Sequence, residues 1–302
     1  MICLKEVFSF NLVYDNTVRM KREKMMKKMK IVASDIDGTL ALKGGNLMPL
    51  TRKALMRLHE EGVLFGLASG RPIDHVVLDS PKQWDLGFDL DFAIGMNGGE
   101  LYDAKTGKLE KYYLLPSEEI RKILTFLKPF DINAIIYVNA YEEIRCLRID
   151  DFMRDSMKRN HSHVTTGDID YLAEFPTGKI EVQFREKELE GILKAIEDNR
   201  SDAWSYVQTF HLGPQYTFEF QDPHVNKGVA LKEYARKYDI DLSDVMAFGD
   251  QKNDIGLLDA AGFGVCLVNG ADESKAVSQA ITEYDVEHDG VGHWLYDHYF
   301  KD

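Results

Sequence analysis

The chain has 302 residues, 44% of them hydrophobic and 29% charged, a length that suits two domains better than one and can bury a sizeable core. Its net charge of -13 argues against sequence-independent nucleic-acid binding, which needs a basic face, but leaves phosphate substrates open where a metal and one or two cations set the local field. Cys3, Cys146 and Cys266 lack metal-ligand spacing and no stretch is long and apolar enough to span a bilayer, so neither a zinc site, a disulfide framework nor a membrane partner is implied, and a cytoplasmic location fits.

Residues 1–27 read as an N-terminal extension, poorly ordered. The mildly apolar Val7–Tyr14 precedes the lysine-rich 19–30, the reverse of a signal peptide's order. The run Ile31-Val32-Ala33 then leads into Asp35 and Asp37 and breaks at Gly38, as a buried strand ending in a turn does. Ligands of open α/β sheets bind outside strand carboxyl ends. Two acids placed there repel unless a cation lies between them, and Mg²⁺ suits carboxylates with phosphate oxygens. Such a carboxylate can also be a nucleophile, with a second acid two residues on serving as general acid and then base. Alternatively, the pair merely ends a strand and opens a turn, and other stretches of the chain decide between the two.

Residues 51–61 carry Ala54, Leu55 and Leu58 at helical spacing before Gly62. A second strand, 63–68, ends at Ser69-Gly70-Arg71-Pro72. Pro72 suits a helix's first turn, so Ser69 either meets an anion at a helix N-terminus or simply caps it. Residues 92–96 form a third strand, ending at Asn97-Gly98-Gly99. Alternating strands and helices predict a parallel sheet with helices on its faces.

The pattern then changes. Residues 100–102 and 111–114 read as a hairpin, 116–127 and 186–198 as helices, and 133–138, 144–149, 179–184 and 205–211 as strands of an antiparallel α+β layer. The expected organisation is a core of 28–113 and 214–302 with 114–213 inserted. Further on, Lys227 opens a helix, 229–238, with Asn226 as its cap. A lysine there opposes the helix dipole, which hints at an anion to be met, or else its ammonium reaches water. Strand 245–248 leads into Asp250, Asn253 and Asp254, 263–267 is a strand, and 273–280 and the segment after Asp289 are helical, with Trp294 in the core.

Asp35-Ile36-Asp37-Gly38-Thr39, Ser69-Gly70-Arg71, Lys227-Gly228 and Gly249-Asp250-x-x-Asn253-Asp254 resemble, in order, the four motifs of the haloacid dehalogenase superfamily. Asn97-Gly98 and the placing of the insertion between the second and third motifs are similar to its Cof-type sugar-phosphate phosphatases. The resemblance implies an α/β fold: a doubly wound, Rossmann-like parallel-sheet core with an inserted α+β cap. It implies Asp35 as nucleophile, Asp37 as general acid and base, and Mg²⁺ held by Asp35, Asp37 through its carbonyl, Asp250 and Asp254. It further implies that Ser69, Gly70, Lys227, Asn253, Thr39 and Asn97 bind phosphate or substrate. The expected activity is hydrolysis of a small phosphorylated metabolite, a sugar phosphate, with Arg145, Arg148 and Tyr206 as candidates for specificity. Alternatives are a phosphomutase using the same chemistry and a phospho-aspartate signalling module. The latter resembles receiver domains, but those lack an acid two residues after the nucleophile and carry no inserted domain.

Overall fold

A computed structural model describes residues 29–42 and 45–301, so the expected extension of 1–27 lies outside the described residues. In chain order the strands are β1 (Ile31–Ser34), β2 (Leu64–Ala68), β3 (Phe92–Gly95), β4 (Glu100–Asp103), β5 (Lys108–Lys111), β6 (Ile132–Asn139) and β7 (Glu143–Cys146). They continue as β8 (His163–Thr166), β9 (Ile180–Arg185), β10 (Ser205–Leu212), β11 (Gln215–Gln221), β12 (Val245–Gly249), β13 (Phe263–Cys266) and β14 (Ala280–Ile281). The backbone divides into two units: one of residues up to Ala68, Asp79–Phe92 and from Leu231, the other of Ser69–Leu78 and Ala93–Ala230.

In the first unit, β14, β13, β12, β1 and β2 pair in that order, all parallel. The chain leaves β1 toward β2 on one side and returns through β12 on the other. The order therefore reverses between β1 and β12, where open α/β sheets hold their ligands. All of β1 and β12 is buried, which is why both read as unbroken apolar runs. Helix Pro49–Glu60 has its proline in the first turn and buries Thr51, Ala54, Leu55 and Leu58 along one stripe. Trp294 is buried with its ring against Phe248 and Phe263, as core packing. The helix expected over 273–280 is Asp272–Val277, because Ala280 and Ile281 leave it to pair with Val265 and Cys266.

The second unit holds a six-stranded sheet, β10-β11-β9-β6-β7-β8, antiparallel except for β7 with β8. One face is a single hydrophobic core: Ile132, Ala134 and Ile136 of β6, Ile180, Val182 and Phe184 of β9, and Phe218 and Phe220 of β11, joined by Ile120, Ile123 and Leu127 of helix Ser117–Leu127 and by Ile192 and Ile196 of helix Leu189–Asp198. The sheet runs through β11 to Gln221, past residue 213 where the insertion is expected to end, because β11 is the return strand of a hairpin with β10.

Four further elements differ from expectation. The return strand of the β4–β5 hairpin begins at Lys108, since the turn closes where Gly107 N donates to Asp103 O at 2.8 Å, and 112–114 lie beyond it. Strand β7 stops at Cys146 rather than 149. Helix Asp151–Asn160 follows, with Asp150 capping it by accepting from Met153 N at 3.0 Å. Strand β8 then adds to the sheet edge. Among the described residues no helix is long and apolar enough to cross a membrane.

Candidate active site

Strands β1 and β12 lie side by side in register, Ser34 opposite Phe248, so the residues that follow them emerge together. Asp35 and Asp250 are those residues, and Asp254 reaches back from the short turn Lys252–Asp254. One carboxylate oxygen from each of the three lies within 4.8 Å of those of the other two, and all three residues are buried.

The surrounding contacts fix this cluster. Asp250 accepts Thr39 Oγ1 at 2.7 Å on one oxygen and Gln251 Nε2 at 2.8 Å on the other. Asp254 Oδ2 accepts the backbone N–H groups of Asp250 and Gln251 at 3.0 and 2.9 Å, which folds the turn around it. Gly38 has a φ of +94°, and a Cβ there would stand 2.7 Å from Asp250 Oδ2. Asn269 Nδ2 holds the Gly38 carbonyl at 3.0 Å. Asp37 is half-buried in the tight turn after β1, whereas Asn253 is exposed. The negative field reaches Cys266, whose thiol is pushed up to about 11, first by burial and then by Asp250.

Three buried carboxylates at this spacing repel strongly unless a cation joins them. The donors are oxygen only, which suits hard Mg²⁺ rather than a thiolate- or imidazole-seeking metal. These residues fit the ion that the resemblance implies.

The remaining expected residues belong to the second unit and are placed there together. Ser69 is buried, its N–H donates to Ile94 O at 2.8 Å, and its carbonyl accepts Asn97 N at 3.2 Å. The continuous helix expected from Pro72 does not form: two separate single turns, His75–Leu78 and Ser80–Gln83, follow, with Asp74 Oδ1 accepting Val76 N at 2.8 Å. Ser69 Oγ instead accepts Arg71 N at 3.2 Å, so neither a long helix dipole nor a helix cap explains it. Asn97 has a φ of +55°, a conformation asparagine tolerates. Gly98 beside it has a φ of +105°, and a Cβ there would lie 2.0 Å from Asn226 O and 2.9 Å from Lys227 N. Lys227 is fully buried in the first turn of helix Lys227–Lys237, and Asn226 Oδ1 caps that turn by accepting Val229 N at 3.1 Å, as expected.

Of the specificity candidates, Arg145 is spent on Glu174 at 2.6 Å and Tyr171 O at 2.8 Å, with its guanidinium 4.1 Å over the Tyr171 ring. Arg148 pairs with Asp131 at 2.8 Å in the open, and Tyr206 stacks on Phe218 and Phe220, on the apolar face of the sheet. The opposite face carries Lys179, Glu181 and Glu219, which sequence reasoning passed over. Their signal is the alternation of Lys179-Ile180-Glu181-Val182 and Phe218-Glu219-Phe220, which reads as a strand with one wet face. Here Lys179 and Glu219 are only 3% and 6% exposed.

The model of the haloacid dehalogenase-like hydrolase family matches residues 32–295. The 5-amino-6-(5-phospho-D-ribitylamino)uracil phosphatase YitU of Bacillus subtilis is 23% identical over 277 residues, covering 91% of this chain and 99% of its own. Among solved structures, TM0651 of Thermotoga maritima aligns with a TM-score of 0.75 at 19% identity, covering 89% of this chain and 97% of its own. The subclass IIB sugar phosphatase BT4131 aligns with a TM-score of 0.71 at 21% identity, covering 89% and 98%. These likenesses share the Rossmann-like core with its inserted α+β domain. A family match that starts inside β1 and ends at Leu295 takes in nearly every described element, and this chain belongs to the haloacid dehalogenase-like hydrolases.

Proposed function

We propose that the chain is a Mg²⁺-dependent phosphatase that hydrolyses a small phosphorylated metabolite, a sugar phosphate, through an aspartyl-phosphate on Asp35. The observation that carries this reading is the buried cluster of Asp35, Asp250 and Asp254, with ligand atoms within 4.8 Å, where the order of the parallel strands reverses. The relatives named as phosphatases support the reaction class, and the solved sugar phosphatase of like fold supports the substrate class.

An Asp35 carboxylate oxygen bonds to phosphorus in line as the P–O bond to the leaving alcohol breaks, and that alkoxide takes a proton from Asp37. Asp37, now a carboxylate, removes a proton from water. The water oxygen attacks phosphorus and releases inorganic phosphate, which frees Asp35. Mg²⁺ bound by Asp35, the Asp37 carbonyl, Asp250 and Asp254 would offset the repulsion between the nucleophile and the phosphoryl oxygens. Thr39 holds Asp250 in place for that task. Ser69, Gly70, Lys227, Asn97 and Asn253 are assigned to grip and orient the phosphoryl group. Residues 114–213 are assigned as the cap.

The test is phosphate release from a panel of phosphorylated sugars, nucleotides and vitamin phosphates with Mg²⁺ present. Turnover of at least one sugar phosphate is expected, and an isomerised sugar phosphate without free phosphate would instead mark a mutase. Chelation with EDTA should lower turnover by about 10²-fold or more, and Mg²⁺ should restore it; activity indifferent to chelation would refute the metal assignment. Asp37→Asn should slow turnover by ~10²–10⁴-fold with little change in the melting curve.

A further inference from the structure

We propose that Lys179 and Glu219 are positioning residues: as a buried ion pair on the six-stranded sheet, they set the two loops that carry Ser69-Gly70 and Asn97. Lys179 Nζ lies 2.7 Å from Glu219 Oε1, 3.4 Å from Glu181 Oε1 and 3.2 Å from the carbonyl of Gly70. An ammonium has three protons, and these acceptors match them. The other oxygen of Glu219 faces Asn97 Nδ2 at 3.4 Å, and Gln221 Oε1 faces the same amide at 3.5 Å. One ion pair, from the residue that leads into β9 and from β11, thus reaches both loops.

An ordinary structural pair would not need this arrangement. Buried ion pairs are weak stabilisers compared with apolar packing, because desolvation offsets the attraction. Burial works against the charge of Lys179, yet Glu219 and Glu181 outweigh it and hold the ammonium above the usual lysine range. Glu219 is itself raised, first by burial and then by the nearby Glu181 carboxylate, despite Lys179. What the pair provides is direction: a fixed donor on the Gly70 carbonyl, one residue from the Ser69 hydroxyl, and a fixed acceptor on the Asn97 amide.

The inference rests on the phosphoryl-gripping role proposed for those loops. Its test is inhibition by inorganic phosphate and by orthovanadate alongside kcat and KM for the best substrate. Lys179→Met leaves two carboxylates unpaired and can unfold the chain, so Lys179→Met/Glu219→Gln is the decisive variant, since it removes both charges. It should fold, with kcat/KM lower and both inhibition constants higher by about tenfold or more. Gln183→Leu is the control. It is buried on the same face of β9, and its amide makes no hydrogen bond. It should leave both inhibition constants unchanged whatever it does to the melting curve. A folded double variant with wild-type inhibition constants would overturn the positioning role. If the wild type released no phosphate from any compound in the same assays, the phosphatase reading itself would fail, an outcome distinct from a loss of the positioning role.

Discussion

Asp35→Asn is expected to reduce kcat by at least about 10³-fold while leaving the fold intact, because an amide cannot form the aspartyl-phosphate. The structure adds a second expectation. Asp35 is one of three buried carboxylates within 4.8 Å, so without metal its charge is a cost to the fold. The metal-free variant should therefore melt at or above the temperature of metal-free wild type. The wild type should gain more from Mg²⁺ than the variant does, since a ligand that binds only the native state stabilises in proportion to its affinity. Thermal melts with and without Mg²⁺, beside phosphate release, check both halves. A variant with near-native turnover would remove Asp35 as the nucleophile. One that melted well below wild type without metal would mean the three acids are not in repulsion.

Much of this was legible because the first unit's sheet is parallel. Its strands are buried on both faces, so β1, β12 and β13 appear as short apolar runs, and the acids that end β1 and β12 stand out. The antiparallel layer hid more. Helix Asp151–Asn160 has few apolar residues, and its capping Asp150 looks like any loop acid. Strand β8, His163–Thr166, lies at a sheet edge with half its residues exposed, so burial imposes little pattern on it. The Lys179 and Glu219 pair was missed for a deeper reason. Alternation shows which residues share a face, but not whether that face meets water. Pro72 misled in the other direction: it suits a helix start, yet the backbone at 69–71 is committed to Ile94, Met96 and Asn97, and helix begins only at His75, in separate single turns.

Gly98→Ala should be among the most damaging single-methyl additions in the chain. At a φ of +105° an alanine is strained wherever it sits, and here its Cβ would meet backbone: Asn226 O at 2.0 Å, Asn226 C at 2.4 Å and Lys227 N at 2.9 Å. Backbone cannot rotate aside as a side chain can. Either Asn97-Gly98 or Asn226-Lys227 must shift, and each carries a residue assigned to the phosphoryl group. Strain and overpacking together should cost about 2–5 kcal/mol. The movement should also lower kcat/KM well beyond what lost stability explains at a temperature where the variant is still folded. Gly107→Ala is the comparison: it also sits at positive φ, +66°, in the hairpin turn, with nothing within 4 Å of the added Cβ. It should cost only about 1 kcal/mol, the conformational penalty, and leave turnover unchanged. Urea melts and kcat/KM on both variants separate the two effects. If Gly98→Ala matched Gly107→Ala in stability and activity, the close approach of the Asn97 loop to Lys227 would not exist in solution.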